Sequence, residues 1–217
     1  MGSESKTPPP PGGAGLGPPP IPARRRAAPS PERLVRLGIA FYAALGGAAL
    51  AWRRLGQGEP LWLASPDAEI RWLRDGALGV AAAAGVIAGS AWLTKRSRAG
   101  ERLARALAEA VGPLRPTQAW VLALASGVAE EAFFRGALQP VVGLGWATVL
   151  FAAAHYVPRA GLALWSVFAA GAGLLLGGLY EATGNLLAPI VAHVLVNGVN
   201  LNRLVREYGP AAGWRAP

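Results

Sequence analysis

The chain has 217 residues, of which 53% are hydrophobic and only 15% charged, with a mean hydropathy of +0.32. Soluble domains carry about 25% charged residues, so the composition points to a membrane protein. The net charge of +9 gathers between apolar stretches, without the aromatic-interleaved basic patch of a nucleic-acid surface, and the lack of cysteine excludes disulfides, thiolate metal sites and cysteine nucleophiles.

Residues 1–30 read as a disordered Pro/Gly-rich tail. Pro8-Pro9-Pro10-Pro11 and Pro18-Pro19-Pro20 alternate with Gly and Ser, and there is almost nothing to bury. No apolar region suited to a secretory signal follows the start. Docking on a Pro-binding partner is the functional alternative to a solvated tail.

Six apolar segments follow, from about Leu34 to Trp52, Gly76 to Leu93, Thr117 to Gln139, Val141 to Val157, Gly161 to Tyr180 and Leu186 to Val205. Each approaches the ~20 residues a helix needs to cross ~30 Å of hydrocarbon. Only helices or closed barrels satisfy their backbone there, and the runs lack barrel-like alternation. The predicted fold is an all-α polytopic bundle of about six transmembrane helices. Two N-terminal helices and an interfacial helix occupy 31–112, a core 113–206, and a short tail 207–217.

Between segments two and three, residues 97–112 alternate charge with Leu and Ala at helical spacing. Leu103, Ala106, Leu107 and Ala110 fall on one side and Arg98, Arg102, Arg105 and Glu109 around the other. This predicts an interfacial amphipathic helix or a plain connector helix. Asp67 to Arg74 forms a second short interfacial candidate, with Trp62 and Trp72 at headgroup level. Arg24, Arg25, Arg26, Arg33, Arg36, Lys95, Arg96, Arg98, Arg102, Arg105, Arg115, Arg159, Arg203 and Arg206 all fall on one side of an even number of spans. The positive-inside rule makes that side cytoplasmic, with both termini. Arg53, Arg54, Arg71 and Arg74 on the opposing loop weaken the asymmetry.

Segment three holds Glu130, Glu131 and Arg135 after an uncharged run. A charge at hydrocarbon depth costs at least ~2.5–3.5 kcal/mol on insertion scales. The only histidines, His155 and His193, sit in segments four and six, four residues from Phe151 and Asn197 respectively. Residues four apart share a helix face. Glu130 and Glu131 lie ~100° apart and can both border one cavity. Two carboxylates in a poor dielectric cannot both ionise cheaply, so a proton can be held there near neutral pH. That supplies a candidate general base, with a histidine to relay the proton and a histidine–asparagine pair to meet an oxyanion. Arg135 can compensate a carboxylate. The blander alternatives are a structural Glu131–Arg135 pair, Asn197 as packing glue, and Phe151 as core or cavity wall.

At these residues the chain resembles the CPBP family of membrane proteases, also called the Abi or CAAX-protease family, whose pattern is EExxxR, FxxxH and HxxxN on successive helices. The lead-in Thr183-Gly184-Asn185-Leu186-Leu187-Ala188-Pro189-Ile190 is also similar. The resemblance covers about Thr117 to Leu204. It implies a conical catalytic cavity in the last four helices and an intramembrane endopeptidase acting on a membrane-anchored protein or peptide. It implies Glu130 as base, Glu131 as support, His155 positioning water, His193 and Asn197 on the oxyanion, and Arg135 holding the glutamates. No cofactor is expected. The alternative is a zinc peptidase using Glu130, His155 and His193, although His-Glu-x-x-His is absent. Maturation or C-terminal anchor sorting, as in the myxosortase branch, is the expected role, in a bacterial inner membrane. A non-enzymatic immunity or scaffold protein and a proton-coupled transporter are the other classes. No nucleic-acid partner is expected, and oligomeric state is not readable. Gly171, Gly173, Gly177 and Gly178 are expected to allow close helix packing.

Overall fold

A computed structural model describes Gly2 and residues 30–158 and 162–209. The Pro-rich tail, Arg159 and most of the C-terminal tail lie outside these residues. The described chain is helical, with α1 Pro31–Ala51, α2 Trp72–Arg96, α3 Arg98–Val111, α4 Pro116–Glu131, α5 Gln139–Ala154, α6 Ala163–Thr183 and α7 Leu187–Tyr208. No strand occurs among the described residues, and Leu63 and Asn185 form an isolated antiparallel bridge. The all-α expectation holds.

Four stretches are long and apolar enough to cross a membrane: Pro31–Gly56, Trp72–Arg96, Pro116–Ala154 and Ala163–Thr183. With so many long apolar helices, the chain is an integral membrane protein. The count of six depends on dividing the third stretch and including α7. Gly143, at φ 77° and ψ 166°, breaks the 39-residue stretch into two rods. α7 has 22 residues, but His193, Asn197, Asn200, Asn202 and Arg203 dilute its apolarity.

The residues between α4 and α5, Ala132–Leu138, wind as π-helix. The Gln139 N–H bonds the Phe134 carbonyl, five residues back. Pro140 follows at once; it has no N–H to donate, and its ring crowds the carbonyl four residues earlier. A π segment absorbs such a misfit inside a continuous rod.

α3 bears out the amphipathic reading. The Ser97 hydroxyl caps it, accepting from Ala99 N and Gly100 N at 3.2 Å each. It buries Gly100, Leu103, Ala104 and Ala108, a stripe rotated from the expected one, with Ala110 exposed. Residues 57–71 are irregular, and helix resumes at Trp72. Asp67 to Arg74 is therefore not a separate helix.

The irregular loop is pinned from within. Buried Arg53 donates to the carbonyls of Pro60, Leu63 and Ala64 at 3.2–3.3 Å and to Gln57 Oε1 at 2.6 Å. The Ala64 N–H bonds Gly184 O at 2.8 Å and the Leu186 N–H bonds Trp62 O at 3.1 Å. Gly184 ends α6 in the left-handed region at φ 70°, a conformation glycine adopts without a Cβ penalty. Asn185, fully buried, then donates to Asp75 Oδ2 at 2.7 Å and to Glu69 O at 3.1 Å, while its Oδ1 accepts from Leu187 N at 3.0 Å. The Thr183–Ile190 lead-in thus sets where α7 begins.

Glycines set helix spacing. A Cβ at Gly127 would lie 2.6 Å from Val194 Cγ2, and one at Gly198 would collide with the Trp120 ring, so α4 and α7 cross antiparallel at close range. Among the four glycines expected to serve packing, Gly173 meets Thr148 and Gly177 meets Leu144 and Gln139, whereas Gly171 and Gly178 face open space.

Candidate active site

The α4–α7 crossing brings Glu131 against His193. Glu131 Oε1 accepts from His193 Nδ1 at 2.6 Å and from Arg135 Nη1 at 2.9 Å. Glu131 is fully buried and Arg135 almost so, and Arg135 also donates to Gly173 O at 3.2 Å. Its guanidinium lies 4.4 Å from the Phe151 ring centroid, where the π face attracts a cation. Glu131 Oε1 and the guanidinium thus partner each other as burial requires, while Glu131 Oε2 has no hydrogen-bond partner among the described residues.

Glu130 points elsewhere. It lines a cavity of about 500 Å³ with Phe151, His155, His193, Ser126 and Asn197. Glu131 does not line it, which corrects the expectation that both carboxylates border the cavity. Its side chain turns behind His193 and meets Arg135 instead. Glu130 Oε2 lies 3.7 Å from His155 Nε2 and 4.0 Å from His193 Nε2, and has no hydrogen-bond partner among the described residues.

The two histidines are set alike. His155 Nδ1 is 2.8 Å from Phe151 O; a carbonyl only accepts, so Nδ1 carries the hydrogen. His193 Nδ1 donates to Glu131. Each ring therefore turns its Nε2 toward Glu130, an acceptor on a neutral ring and an N–H donor on an imidazolium. Phe151 is both wall and core: it lines the cavity, and its ring packs on Phe134, His155 and His193 at centroid distances of 5.0, 4.4 and 6.2 Å.

Asn197 Nδ2 donates to Ser126 Oγ at 3.0 Å, and Ser126 Oγ donates to Ala123 O at 3.2 Å. Ser126 was not expected at the site, although it lies one helical turn before Glu130 and so on its face. All seven residues singled out from the sequence come together here. The cavity extends beyond the last four helices, because Leu34, Val86, Leu103 and Leu107 of α1, α2 and α3 complete an apolar wall.

Two imidazole nitrogens facing a carboxylate have the chemistry of a zinc site. Among the described residues, however, no three His, Cys, Asp or Glu side chains reach metal-holding geometry. The side chains as placed do not form a metal cage.

No solved structure matches the chain. A Bacillus subtilis protein named "Uncharacterized protein YpbD" is 41% identical over 80 residues, a match covering 36% of this chain and 41% of that protein. This chain thus aligns with less than half of its relative. The model of the Rce1-like family, described as type II CAAX prenyl endopeptidase Rce1-like, matches residues 113–199, which hold all seven site residues. Residues 113–199 thus match the Rce1-like family of the CPBP group.

Proposed function

We propose that the protein is an intramembrane endopeptidase that cuts a membrane-anchored protein or peptide with water activated by Glu130. The observation that carries this reading is the convergence of the Glu130 carboxylate and two imidazole Nε2 atoms on one point of an apolar cavity. Water bound there donates one hydrogen to Glu130 and the other to His155 Nε2. As the water oxygen attacks the peptide carbonyl, Glu130 takes its proton and later gives it to the leaving amine nitrogen. The Glu131 carboxylate on Nδ1 supports His193 as an imidazolium, which donates through Nε2 to the oxyanion. Asn197 supplies the second donor. Arg135 keeps Glu131 ionised and oriented.

The apolar wall suits a substrate segment that itself lies in lipid. Maturation or C-terminal anchor sorting is the role we assign, in a bacterial inner membrane with both termini in the cytoplasm. Metal-assisted hydrolysis by Glu130, His155 and His193 is the second reading, favoured by two Nε2 atoms facing one carboxylate, although these side chains as placed do not reach metal-holding geometry. The first test compares protein termini in cells that lack the gene and carry either wild type or Glu130→Gln at equal membrane levels. Fragments present with wild type and absent with the variant are expected. Equal processing by the two overturns the peptidase reading and leaves a scaffold or immunity role.

A further inference from the structure

The matched segment 113–199 does not contain the whole cavity wall, and α1 contributes Leu34, Gly38 and Tyr42. A Cβ at Gly38 would lie 2.7 Å from Leu122 Cδ2, and one at Gly46 would lie 3.8 Å from the Ala129 Cβ. These contacts run parallel along α1 and α4. Tyr42, one turn from each glycine, stands between them on the same face, abreast of Ser126. Tyr42, Ser126 and Glu130 line the same cavity.

Four side-chain hydroxyls line the cavity: Tyr42, Ser90, Thr94 and Ser126. Ser90 donates to Ile87 O at 2.9 Å, Thr94 to Ser90 O at 2.7 Å and Ser126 to Ala123 O at 3.2 Å. Each of those hydroxyls has a backbone carbonyl as acceptor, and Ser90 also reaches Asn200 Oδ1 at 3.3 Å. Among the described residues Tyr42 alone of the four has a hydroxyl with no backbone acceptor, and Glu130 Oε2 is a buried carboxylate oxygen with no donor. A buried charged acceptor without a donor is costly.

We infer that Tyr42 is a positioning residue for Glu130: its hydroxyl donates to the carboxylate and aims it at the water between His155 and His193. This rests on the peptidase reading and adds to it a group from outside the matched segment. The hydroxyl exchanges no proton with substrate. It fixes the carboxylate so that Oε2, the oxygen facing both histidines, receives the proton of the attacking water.

Tyr42→Phe removes the hydroxyl and keeps the ring, and Tyr42→Leu removes both. Each is expressed beside wild type and Glu130→Gln in cells lacking the gene, and fragments are followed by terminal proteomics. The peptide around the first cleavage site found is then made as an internally quenched probe for the purified protein in lipid nanodiscs. Loss of a hydrogen bond to a charged group predicts a roughly 10- to 100-fold fall in kcat for Tyr42→Phe. KM should stay within threefold, and the melting temperature and membrane level should match wild type. Tyr42→Leu should lose at least as much. Wild-type kcat in Tyr42→Phe, with Glu130→Gln inactive, overturns the role of Tyr42 and leaves the peptidase reading standing. Unchanged processing by Glu130→Gln overturns both.

Discussion

His193 Nδ1 lies 2.6 Å from Glu131 Oε1, a bond across 62 residues that turns the opposite ring nitrogen toward Glu130. The two adjacent glutamates thereby divide their work. Glu131 faces protein and orients the histidine, and Glu130 faces the cavity.

Glu131→Gln should therefore impair catalysis although the residue does not line the cavity. It removes the carboxylate that supports charge on His193 and leaves Arg135 buried without its counter-ion. Breaking a buried pair from one side costs about 3–5 kcal/mol, so a lower melting temperature in detergent should accompany the loss of cleavage. A variant with wild-type melting and wild-type cleavage would remove Glu131 from the site.

Asn197→Ala should lower kcat by about 10²–10³-fold, the effect of deleting one oxyanion donor. KM should change little, because the interaction forms in the transition state. Asn197 also bonds Ser126, so Ser126→Ala serves as the control. If Ser126→Ala costs as much as Asn197→Ala, the asparagine acts through packing.

Exhaustive chelation separates the two chemical readings. Full cleavage of the probe after dialysis against a strong chelator is expected for metal-free hydrolysis. Activity lost on chelation and restored by zinc would overturn metal-free hydrolysis.

Gly177→Ala places a Cβ against Leu144 and Gln139 and should destabilise the α5–α6 contact by about 1–3 kcal/mol. Gly171→Ala faces open space and should melt within about 0.5 kcal/mol of wild type. Equal melting of the two variants would show that α6 does not pack on α5 as described.

Arg53→Ala should free the loop at residues 57–71, because Arg53 bonds three of its carbonyls. Hydrogen exchange at Glu59, Ala64 and Leu186, whose N–H groups bond around this loop, should accelerate more than exchange within α4. Unchanged protection there would mean that the Trp62–Leu186 and Ala64–Gly184 bonds suffice.

Polar residues that break an apolar run are conspicuous in sequence, since hydrocarbon penalises each of them. Glu130, Glu131, Arg135, His155, His193 and Asn197 were legible for that reason, as was the amphipathic spacing of α3. Tyr42 gave no such signal, because an isolated tyrosine in an apolar helix fits core and lipid interface equally well. Arg53 read as a topology charge, and its carbonyl partners lie in an irregular loop with no periodicity to betray them. The π segment depends on how one rod accommodates Pro140.

The amino-acid order by itself determined the all-α membrane class, the polar set and the spacings that put each pair on one helix face, because local periodicity and the cost of burying charge act along the chain. Only the tertiary structure decided which carboxylate faces the cavity, which ring nitrogens face it, and that α1 brings Tyr42 to the site. Those outcomes depend on helix approach distances set by Gly38, Gly127 and Gly198, and a glycine's effect is set by the side chain opposite it.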